Sequence, residues 1–340
     1  MHTVGEVISY PRDTRLTRGL SALFQIAIKG RSFGYDRGIL PVRRVEDITV
    51  ISVGNLRAGG SGKTPLAAYL ACYFRDRGKR TAIISRGYLG AMEGRGGLVS
   101  NGDGPMVTAR EAGDEAFATA VGVRDVIVRV GADRVEQARA ARRDGAKIVI
   151  LDDGFQHRRL HRDLDIVSVC PQDLDPGEGL LPRGPLREGA DALGRAHLLV
   201  GIESDWIDRD DPPAVLMEYV PCGLASFSDE FPLDYLDGKR VHLLCGIARP
   251  HRFVLTAKRA RMNVTGESTF ADHHRYSVEE IRQVVREARS QGASAILTTC
   301  KDLARLDGME FDLPIFALQI VMDIVSGKDV LASHLERCLT

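Results

Sequence analysis

The sequence lacks the features that mark secreted, zinc-binding and membrane-spanning proteins. Its six cysteines are scattered along 340 residues without a C-x-x-C pair, which argues against a disulfide framework or a zinc site and suits a reduced cytosol. No apolar run approaches the roughly 20 residues that cross a bilayer, and we do not expect the first residues to be a cleaved signal peptide. Forty-six basic residues balance forty-six acidic ones, so no overall electric field attracts nucleic acid. We therefore expect a globular protein without a nucleic-acid partner, and we infer no obligate protein partner.

What the sequence does contain is a phosphate-binding pattern in residues 48–69. The β-branched run Ile48–Val53 predicts a buried strand, a glycine-rich turn follows, and an apolar helix is predicted from Pro65. This order forms a polyphosphate cradle, because glycine leaves backbone N–H groups accessible and the helix N-terminus adds a partial positive charge. Lys63 is placed to reach the β- and γ-phosphates, and the Thr64 hydroxyl to bind Mg²⁺. The alternative is a glycine-rich turn that binds nothing. The residues predicted to hold the nucleotide are Gly54, Asn55, Gly59, Gly60, Ser61, Gly62, Lys63, Thr64 and Pro65.

One position departs from the common G-x-x-x-x-G-K-T spacing of a P-loop. Residue 57 is arginine where that spacing has glycine, and the nearest upstream glycine is Gly54. The departure indicates a P-loop of an unusual subfamily.

A predicted metal site follows a second buried strand. The apolar run Lys147–Leu151 leads into Asp152 and Asp153. In P-loop enzymes the strand beside the P-loop strand ends in an aspartate that holds Mg²⁺ at the phosphates. The alternative is that the two aspartates cap the next turn. We favour metal binding by Asp152 and Asp153 together with Thr64.

Basic side chains follow this strand end and recur in a later loop. His157 opens a run of basic residues that ends at residue 162, and the glycine- and proline-rich loop 177–188 carries Arg183 and Arg187. Such residues either form solvated charged loops or receive an anionic substrate and stabilise transferred phosphate.

Residues 12–29 have an amphipathic helical pattern. Apolar residues recur at helical spacing, with arginines and lysines on the flanks and on the opposite face. A helix in a membrane interface has this pattern, and so does a helix packed against its own domain. The apolar positions are Leu16, Leu20, Leu23, Phe24, Ala27 and Ile28.

Two further polar segments have ordinary structural interpretations. Asp114 and Glu115 open a predicted helix, where acidic residues usually complement the helix dipole. His273 and His274 are adjacent and point in different directions, so they are poor joint metal ligands and are typical of a hydrogen-bonded turn. From residue 240 a second pattern of alternating strands and helices begins.

The motifs together resemble the tetraacyldisaccharide 4′-kinases, the lipid A 4′-kinases of Gram-negative bacteria. The resemblance extends from about Val53 to Asp302 and rests on blocks that occur in this order: SVGNLRAGGSGKTP, SRGY, AGDE, LDDGFQHRRLHRDLDI, GLLPRGPLRE, CGIARPHRF, FADHHRYS and TTCKD. It implies transfer of the γ-phosphate of ATP, with Mg²⁺, to the 4′-hydroxyl of tetraacyldisaccharide 1-phosphate. It also implies peripheral association with the cytoplasmic face of the inner membrane.

The resemblance implies a fold, a domain order and residue roles. The fold would be α/β, with a mostly parallel P-loop sheet, a smaller α/β domain and an N-terminal amphipathic helix. Residues 1–35 would dock on the membrane, 36–225 would form the kinase core, and 226–340 would close over the active site. Asp114 matches the family's catalytic aspartate, Lys63 the P-loop lysine, and His273, in preference to His274, the histidine partner. The residues implied to line the substrate crevice are Gln156, His157, Arg183, Arg187 and Glu188.

Some positions depart from the family pattern, and two other activities compete with the kinase. Cys300 stands where the family usually has glutamate, and Ala116 replaces a proline. A small-molecule kinase or ATP-dependent ligase would share the P-loop residues but would not need the basic N-terminal helix. A partition-type ATPase would carry a signature lysine at the position of Ala58, and its absence counts against that class.

Overall fold

The computed structural model describes residues 14–175, 177–203, 210–272, 274–306, 308–309 and 311–339. These residues form two compact units, the first containing residues 14–218 and 322–339 and the second residues 219–321. The chain passes between the units inside two long strands, Ala214–Ala225 and Ile315–Ser326. The expected boundary lay at residues 225–226. The observed division differs because it falls within strands, where composition gives no signal.

The helices and strands alternate through both units. The helices are α1 (Arg15–Asp36), α2 (Lys63–Arg75), α3 (Ala109–Ala112), α4 (Asp114–Gly122), α5 (Arg134–Arg143), α6 (Pro250–Arg259), α7 (Val278–Ser290), α8 (Cys300–Arg305) and α9 (Lys328–Glu336). The strands are β1 (Thr49–Asn55), β2 (Thr81–Ser85), β3 (Gly97–Ser100), β4 (Val126–Val130), β5 (Ile148–Asp152), β6 (Leu164–Val169), β7 (Leu198–Ile202), β8 (Ala214–Ala225), β9 (Glu230–Phe231), β10 (Arg240–Cys245), β11 (Asn263–Thr269), β12 (Ala295–Thr299) and β13 (Ile315–Ser326).

The first unit is built on a sheet whose centre is the P-loop strand. β1 pairs in parallel with β5 on one side and with β6 on the other. β2 and β4 continue the parallel order beyond β5, and β7 and the first part of β8 continue it beyond β6. Because parallel strands share a direction, the residues that follow β1, β2, β4 and β5 all emerge at one edge of the sheet.

Apolar β-branched strands account for the core of this unit. Val50, Ile84 and Leu151 are fully or almost fully buried and pack with the alanines of α5 on one face of the sheet. On the other side of the P-loop, Leu56 and Phe155 are fully buried and pack with apolar residues of β6 and β7. Strands buried on both faces read as continuous apolar runs, which is why the sequence predicts them well.

The second unit contains a smaller group of parallel strands. β10 lies between β11 and β12, and β12 pairs in parallel with the first part of β13. β9 is antiparallel to the end of β8. Helices α6 and α7 bury their apolar faces on clusters that contain residues of β10 and β12. The predicted second α/β pattern is therefore present.

Two predicted features of the first unit differ from the structure. The polar, glycine-rich composition of the sequence from Gly90 to Gly104 predicts a loop, but the segment contains β3, which pairs antiparallel with β4. The strand has only four residues, and the polar, glycine-rich composition of the segment does not predict it. The helix expected from Pro65 begins two residues earlier, at Lys63, so the P-loop lysine and threonine lie in its first turn.

Helix α1 presents two different faces. Thr14 and Thr17 cap its N-terminus reciprocally. One face contacts the first unit, where Ser21 Oγ donates to the carbonyl of Leu180 at 3.0 Å and Arg31 donates to that of Gln156 at 2.5 Å. The opposite face is apolar and exposed, with Leu16 72% exposed, Leu20 46%, Leu23 65% and Ile26 67%. Phe24 and Ile28, which the sequence placed with that apolar face, are partly buried instead.

No helix in the described part of the chain is both long enough and apolar enough to cross a bilayer.

Candidate active site

The P-loop wraps the N-terminus of α2 and leaves it open. Gly59 and Gly62 have φ angles of 103° and 79°, which side chains other than glycine rarely adopt. Gly62 is the N-cap of α2 and provides no side-chain hydrogen bond to it. The first N–H groups of the helix are therefore available for an anion. From the neighbouring strand β6, Ser168 Oγ donates to the carbonyl of Ser61 at 2.5 Å and fixes the loop.

Lys63 and Thr64 each contact one of the paired aspartates. Lys63 Nζ lies 3.5 Å from Asp153 Oδ1 and 3.4 Å from the carbonyl oxygen of Gly59. Thr64 Oγ1 donates to Asp152 Oδ2 at 2.8 Å. In the sheet, Val53 of β1 is the direct neighbour of Asp152. The predicted adjacency of the P-loop strand and the aspartate strand is confirmed.

The two aspartates have opposite electrostatic environments. Asp152 is buried, and this burial, together with the nearby Glu115 carboxylate, raises its pKa to about 7. Burial has the same tendency at Asp153, but Lys63 and Arg187 outweigh it and lower the Asp153 pKa. Arg187 donates to Asp153 Oδ2 at 2.8 Å. Asp153 is thus held ionised by two cations, whereas among the described residues no cation forms an ion pair with Asp152.

The residues present fit a magnesium ion bound beside phosphate. Asp152 Oδ1 is buried and has no hydrogen-bond partner, which is costly unless a ligand supplies one. Carboxylate and hydroxyl oxygens are the ligands that Mg²⁺ prefers, usually one or two of them together with phosphate and water. Within the described residues no group of three or more His, Cys, Asp or Glu could hold a metal. A metal here would therefore complete its coordination with phosphate and water.

Arg57, at the position usually occupied by glycine, is tied into the loop that follows β6. Its Nε donates to the buried Asp173 at 2.5 Å, and its guanidinium lies 3.5 Å from Glu178. The adjacent backbone is also paired, since Ala58 N donates to the carbonyl of Pro185 at 2.8 Å. The arginine therefore anchors the P-loop to loop 177–188.

Other predicted phosphate-loop residues lie close to this edge without equivalent roles. The Asn55 side chain is fully buried, and neither of its polar atoms has a hydrogen-bond partner. The Ser61 hydroxyl is also buried without a partner. Gly54 lies within β1, where an added Cβ would be 2.4 Å from the Cβ of Phe155. At Gly54 the need for glycine therefore comes from packing.

The predicted substrate-binding residues lie in the turn after β5 and in the loop 177–188. Gln156 Nε2 donates to the carbonyl of Asn55 at 2.8 Å, while its own Oε1 is buried without a partner. Burial and the charge of Arg134 lower the pKa of His157 to about 4. Glu188 is buried and ion-paired with Arg195 at 2.5 Å. Arg183 is exposed on the loop 177–188.

The two proposed proton-accepting residues belong to different units. Asp114 is the first residue of α4, and Gly113 before it packs against the backbone of Gly87 and Tyr88, just after β2. This contact places Asp114 near the sheet edge that carries the P-loop. His273 lies outside the described residues. His274 Nε2 is 3.1 Å from Glu280 Oε1, and its ring stacks on Phe270 with centroids 4.8 Å apart.

Sequence reasoning missed Arg134 as a site residue. This first residue of α5 follows β4 at the same sheet edge and is 4% exposed. Within the described residues its guanidinium donates to the carbonyl of Gly131, and its buried Nε has no partner. Burial lowers its pKa to about 10, against the opposing influence of Asp153 and Asp152. The one indication in the sequence was that Arg134 follows the end of a strand. Its neighbours otherwise have the pattern of an ordinary exposed helix.

Comparison with known proteins identifies the family of the chain. A family model described as tetraacyldisaccharide-1-P 4′-kinase matches residues 14–340. The chain belongs to this family. A tetraacyldisaccharide 4′-kinase of Anaeromyxobacter sp. (strain K) is 37% identical, over 94% of this chain and 89% of the relative. One of Geobacter metallireducens is 38% identical, over 91% of this chain and 94% of the relative.

A solved structure of the same family has the same fold. The chain aligns with LpxK from Aquifex aeolicus, in a crystal structure with ATP, at a TM-score of 0.79 and 32% identity. The alignment covers 95% of this chain and 98% of that one. The predicted fold and activity are confirmed: the chain is an ATP-dependent tetraacyldisaccharide 4′-kinase of lipid A biosynthesis, with a P-loop kinase fold. The family match also decides against the competing switch ATPase and small-molecule kinase.

Proposed function

We propose that the edge of the first unit's sheet is where the chain transfers the γ-phosphate of ATP to the 4′-hydroxyl of tetraacyldisaccharide 1-phosphate. The observation that carries this assignment is the pairing of Lys63 with Asp153 and of Thr64 with Asp152, directly beside the uncapped N-terminus of α2. The N–H groups of the P-loop and the Lys63 ammonium neutralise the phosphates. Asn55 and Ser61 supply buried polar atoms that have no hydrogen-bond partner among the described residues.

Thr64, Asp152 and Asp153 would hold Mg²⁺. When bound, the ion neutralises phosphate charge and orients the γ-phosphate. The chain's own residues hold these oxygens in place, since Arg187 fixes Asp153 at 2.8 Å and the α2 backbone fixes Thr64.

Asp114 and His273 are proposed to accept the proton of the acceptor hydroxyl. As the 4′-oxygen bonds to the γ-phosphorus, the bond from that phosphorus to the β,γ-bridging oxygen breaks, and ADP leaves. The hydroxyl proton passes to the Asp114–His273 pair. The engagement of His274 by Glu280 and Phe270 supports His273 as the reacting member of the histidine pair.

Arg134 is proposed to bind the phosphoryl group in transfer. A buried guanidinium without a carboxylate partner is unfavourable in isolation, and an incoming phosphate would supply the missing charge. Its charge lowers the pKa of His157, which supports a position beside the predicted acceptor residues. Gln156, His157, Arg183, Arg187 and Glu188 would line or support the acceptor side of the crevice.

The exposed face of α1 is proposed to dock on the cytoplasmic surface of the inner membrane. Leu16, Leu20, Leu23 and Ile26 form one apolar face that the described part of the protein leaves exposed. An amphipathic helix with basic flanks binds an anionic lipid interface in this orientation. The opposite face contacts Leu180 and Gln156, so a docked helix would hold the acceptor side of the site next to the lipid.

The test is phosphate transfer by the full chain in mixed micelles containing the tetraacyl disaccharide 1-phosphate, labelled ATP and Mg²⁺. We expect a product heavier by one phosphate and little ATP consumption without the acceptor. Lys63→Ala should reduce the rate by about a hundredfold or more, since it removes a cation that stabilises transition-state charge worth about 3 kcal/mol. Lys258→Ala changes an exposed lysine of the second unit and is the matched control. Near-normal turnover by a folded Lys63→Ala variant would refute the assigned P-loop role.

A further inference from the structure

Arg31 lies on α1 where the exposed apolar face meets the predicted acceptor side of the site. Its guanidinium donates to the carbonyl of Gln156 at 2.5 Å and lies 5.7 Å from the ring centroid of Tyr35. It follows Leu20 by eleven residues and Ala27 by four, so the three side chains share one side of the helix. All three residues are exposed. The cation therefore lies at the end of the face that is proposed to dock on lipid.

Gln156 connects this arginine to the P-loop strand. Its carbonyl accepts from Arg31, and its side-chain Nε2 donates to the carbonyl of Asn55, the last residue of β1, at 2.8 Å. The next residue, His157, has a lowered pKa, for which burial is the largest cause and to which the charges of Arg134 and Arg31 contribute. A single residue thus separates Arg31 from the strand end that leads into the phosphate-binding loop.

Arg31 differs from neighbouring arginines in its charge balance. Three arginines in the turn after β5 and in the loop 177–188 each form an ion pair with an aspartate. The pairs are Arg158–Asp36 at 2.6 Å, Arg159–Asp133 at 3.1 Å and Arg187–Asp153 at 2.8 Å. Among the described residues no carboxylate forms an ion pair with Arg31, and a single hydrogen bond is accepted from its five N–H groups. The guanidinium is therefore anchored and still has donors for an anion.

The acceptor carries an anionic group of its own. Tetraacyldisaccharide 1-phosphate, the acceptor of this family, has its phosphate on the sugar that does not carry the 4′-hydroxyl. Its acyl chains keep the disaccharide at the lipid surface, where the basic edge of an amphipathic helix also lies. A guanidinium binds a phosphate through two parallel hydrogen bonds. The chemistry of Arg31 and its place at the end of the apolar face match this group.

We propose that Arg31 binds the 1-phosphate of the acceptor and makes the chain selective for the phosphorylated disaccharide over the same disaccharide without this phosphate. The inference rests on the acceptor site proposed above in the first unit. Tyr35 supports the guanidinium, because Arg158 packs on the same ring at 5.1 Å and is itself held by Asp36. The role differs from general attraction to anionic lipid, which any exposed cation of the helix would provide.

The test compares two acceptors in mixed micelles of a neutral detergent. They are the tetraacyl disaccharide 1-phosphate and the same compound with the 1-phosphate removed, and kcat/KM is measured for each. We expect Arg31→Met to lower kcat/KM for the phosphorylated acceptor by about tenfold to a hundredfold, the range for a lost hydrogen bond to a charged group. The KM for ATP should not change. With the dephosphorylated acceptor the unmodified chain should already show this loss, and Arg31→Met should add none, because the partner of the arginine is then missing.

Arg37→Met is the matched control. Arg37 is an exposed arginine at the C-terminus of the same helix, packed over Phe33 at 5.2 Å, and its loss should leave the preference between the acceptors unchanged. Arg31→Lys keeps the charge without the paired donors, so it should retain part of the preference. If Arg31→Met does not fold, Arg31→Gln, which keeps a donor for the Gln156 carbonyl, gives the same comparison. Flotation with anionic vesicles that hold no acceptor should be alike for Arg31→Met and Arg37→Met.

An equal loss on both acceptors in folded Arg31→Met overturns the inference, because Arg31 would then act only through Gln156. Equal use of the two acceptors by the unmodified chain overturns it as well. Weaker flotation of Arg31→Met than of Arg37→Met, with an unchanged acceptor preference, would show that the arginine binds lipid headgroups. If the dephosphorylated acceptor is not turned over, its inhibition constant against the phosphorylated one replaces kcat/KM in the comparison. Failure of the proposed site itself is seen separately, since Lys63→Ala would then retain turnover.

Discussion

At the scale of single residues, the phosphate site depends on charges whose partners come from other elements. Arg57 shows this in the P-loop itself. A glycine at this position would give the loop conformational freedom, whereas the arginine uses Asp173 and Glu178 to fix the loop. At this position the loop is thus held by ion pairs.

Arg134 allows a prediction in which stability and activity separate. Arg134→Met removes a buried guanidinium that has no carboxylate partner, so the free energy of unfolding should stay the same or rise. Loss of its charge near the transferred phosphate should lower kcat by about a hundredfold. Urea unfolding and steady-state kinetics measure the two effects. Arg139→Met, at an exposed position of the same helix, should change neither. A variant that is destabilised but remains active would indicate that Arg134 is a structural residue.

At the scale of elements, predictability from the sequence follows burial. Short apolar runs of the sequence predict β2, β4, β6, β7 and β12 with the limits that the structure gives, because these strands are buried on both sides. β11 was not predicted, since it is polar and only partly buried. β8 was not predicted either, since Pro221 and alternating exposure interrupt its pattern.

The site residues that lie close together in the sequence could be predicted. Lys63, Thr64 and the paired aspartates follow from a strand, a loop and a helix within short segments. Arg134 and the partners of Arg31 were not predictable, because their meaning depends on contacts between segments far apart in the chain. The sequence alone does not distinguish a buried arginine from an exposed helical arginine. Only the structure shows which one is present.

Strand β1 carries a packing constraint that can be tested. At Gly54 an added Cβ would lie 2.4 Å from the Cβ and 2.8 Å from the backbone nitrogen of Phe155. Since Phe155 is fully buried, Gly54→Ala should destabilise the protein by about 1–3 kcal/mol through overpacking. Chemical denaturation measures this change. Gly94→Ala, where nothing lies within 4 Å of the added atom, should be close to neutral. Equal stabilities for the two variants would contradict the packing role.

Helix α1 allows a prediction that separates its two faces. Leu20→Glu with Leu23→Glu places charge on the exposed apolar face, so flotation with anionic vesicles should fall at least several-fold. Turnover of detergent-dispersed acceptor should change little, because the face that contacts Leu180 and Gln156 is untouched. Leu255→Glu changes an exposed leucine of the second unit and is the control. If the double variant floats like the unmodified chain, the exposed face does not dock on lipid.

At the scale of the whole molecule, the two residues proposed to accept the proton lie far apart in the chain. Asp114 belongs to the first unit and His273 to the second part of the chain, and the polypeptide passes between the units within β8 and β13.

A double-mutant cycle tests whether the two residues act as one proton-accepting unit. Asp114→Ala and His273→Ala should each lower kcat by about a hundredfold or more, with little change in the KM for ATP, because neither is proposed to bind the nucleotide. The double variant should be hardly slower than the slower single variant, since a broken unit has little left to lose. Additive losses would mean two independent roles, for example Asp114 at the metal and His273 at the sugar. His274→Ala is the matched neighbour: its ring is already engaged by Glu280 and Phe270, so its effect should fall on stability. A larger loss of kcat in His274→Ala than in His273→Ala would assign the base to His274 instead.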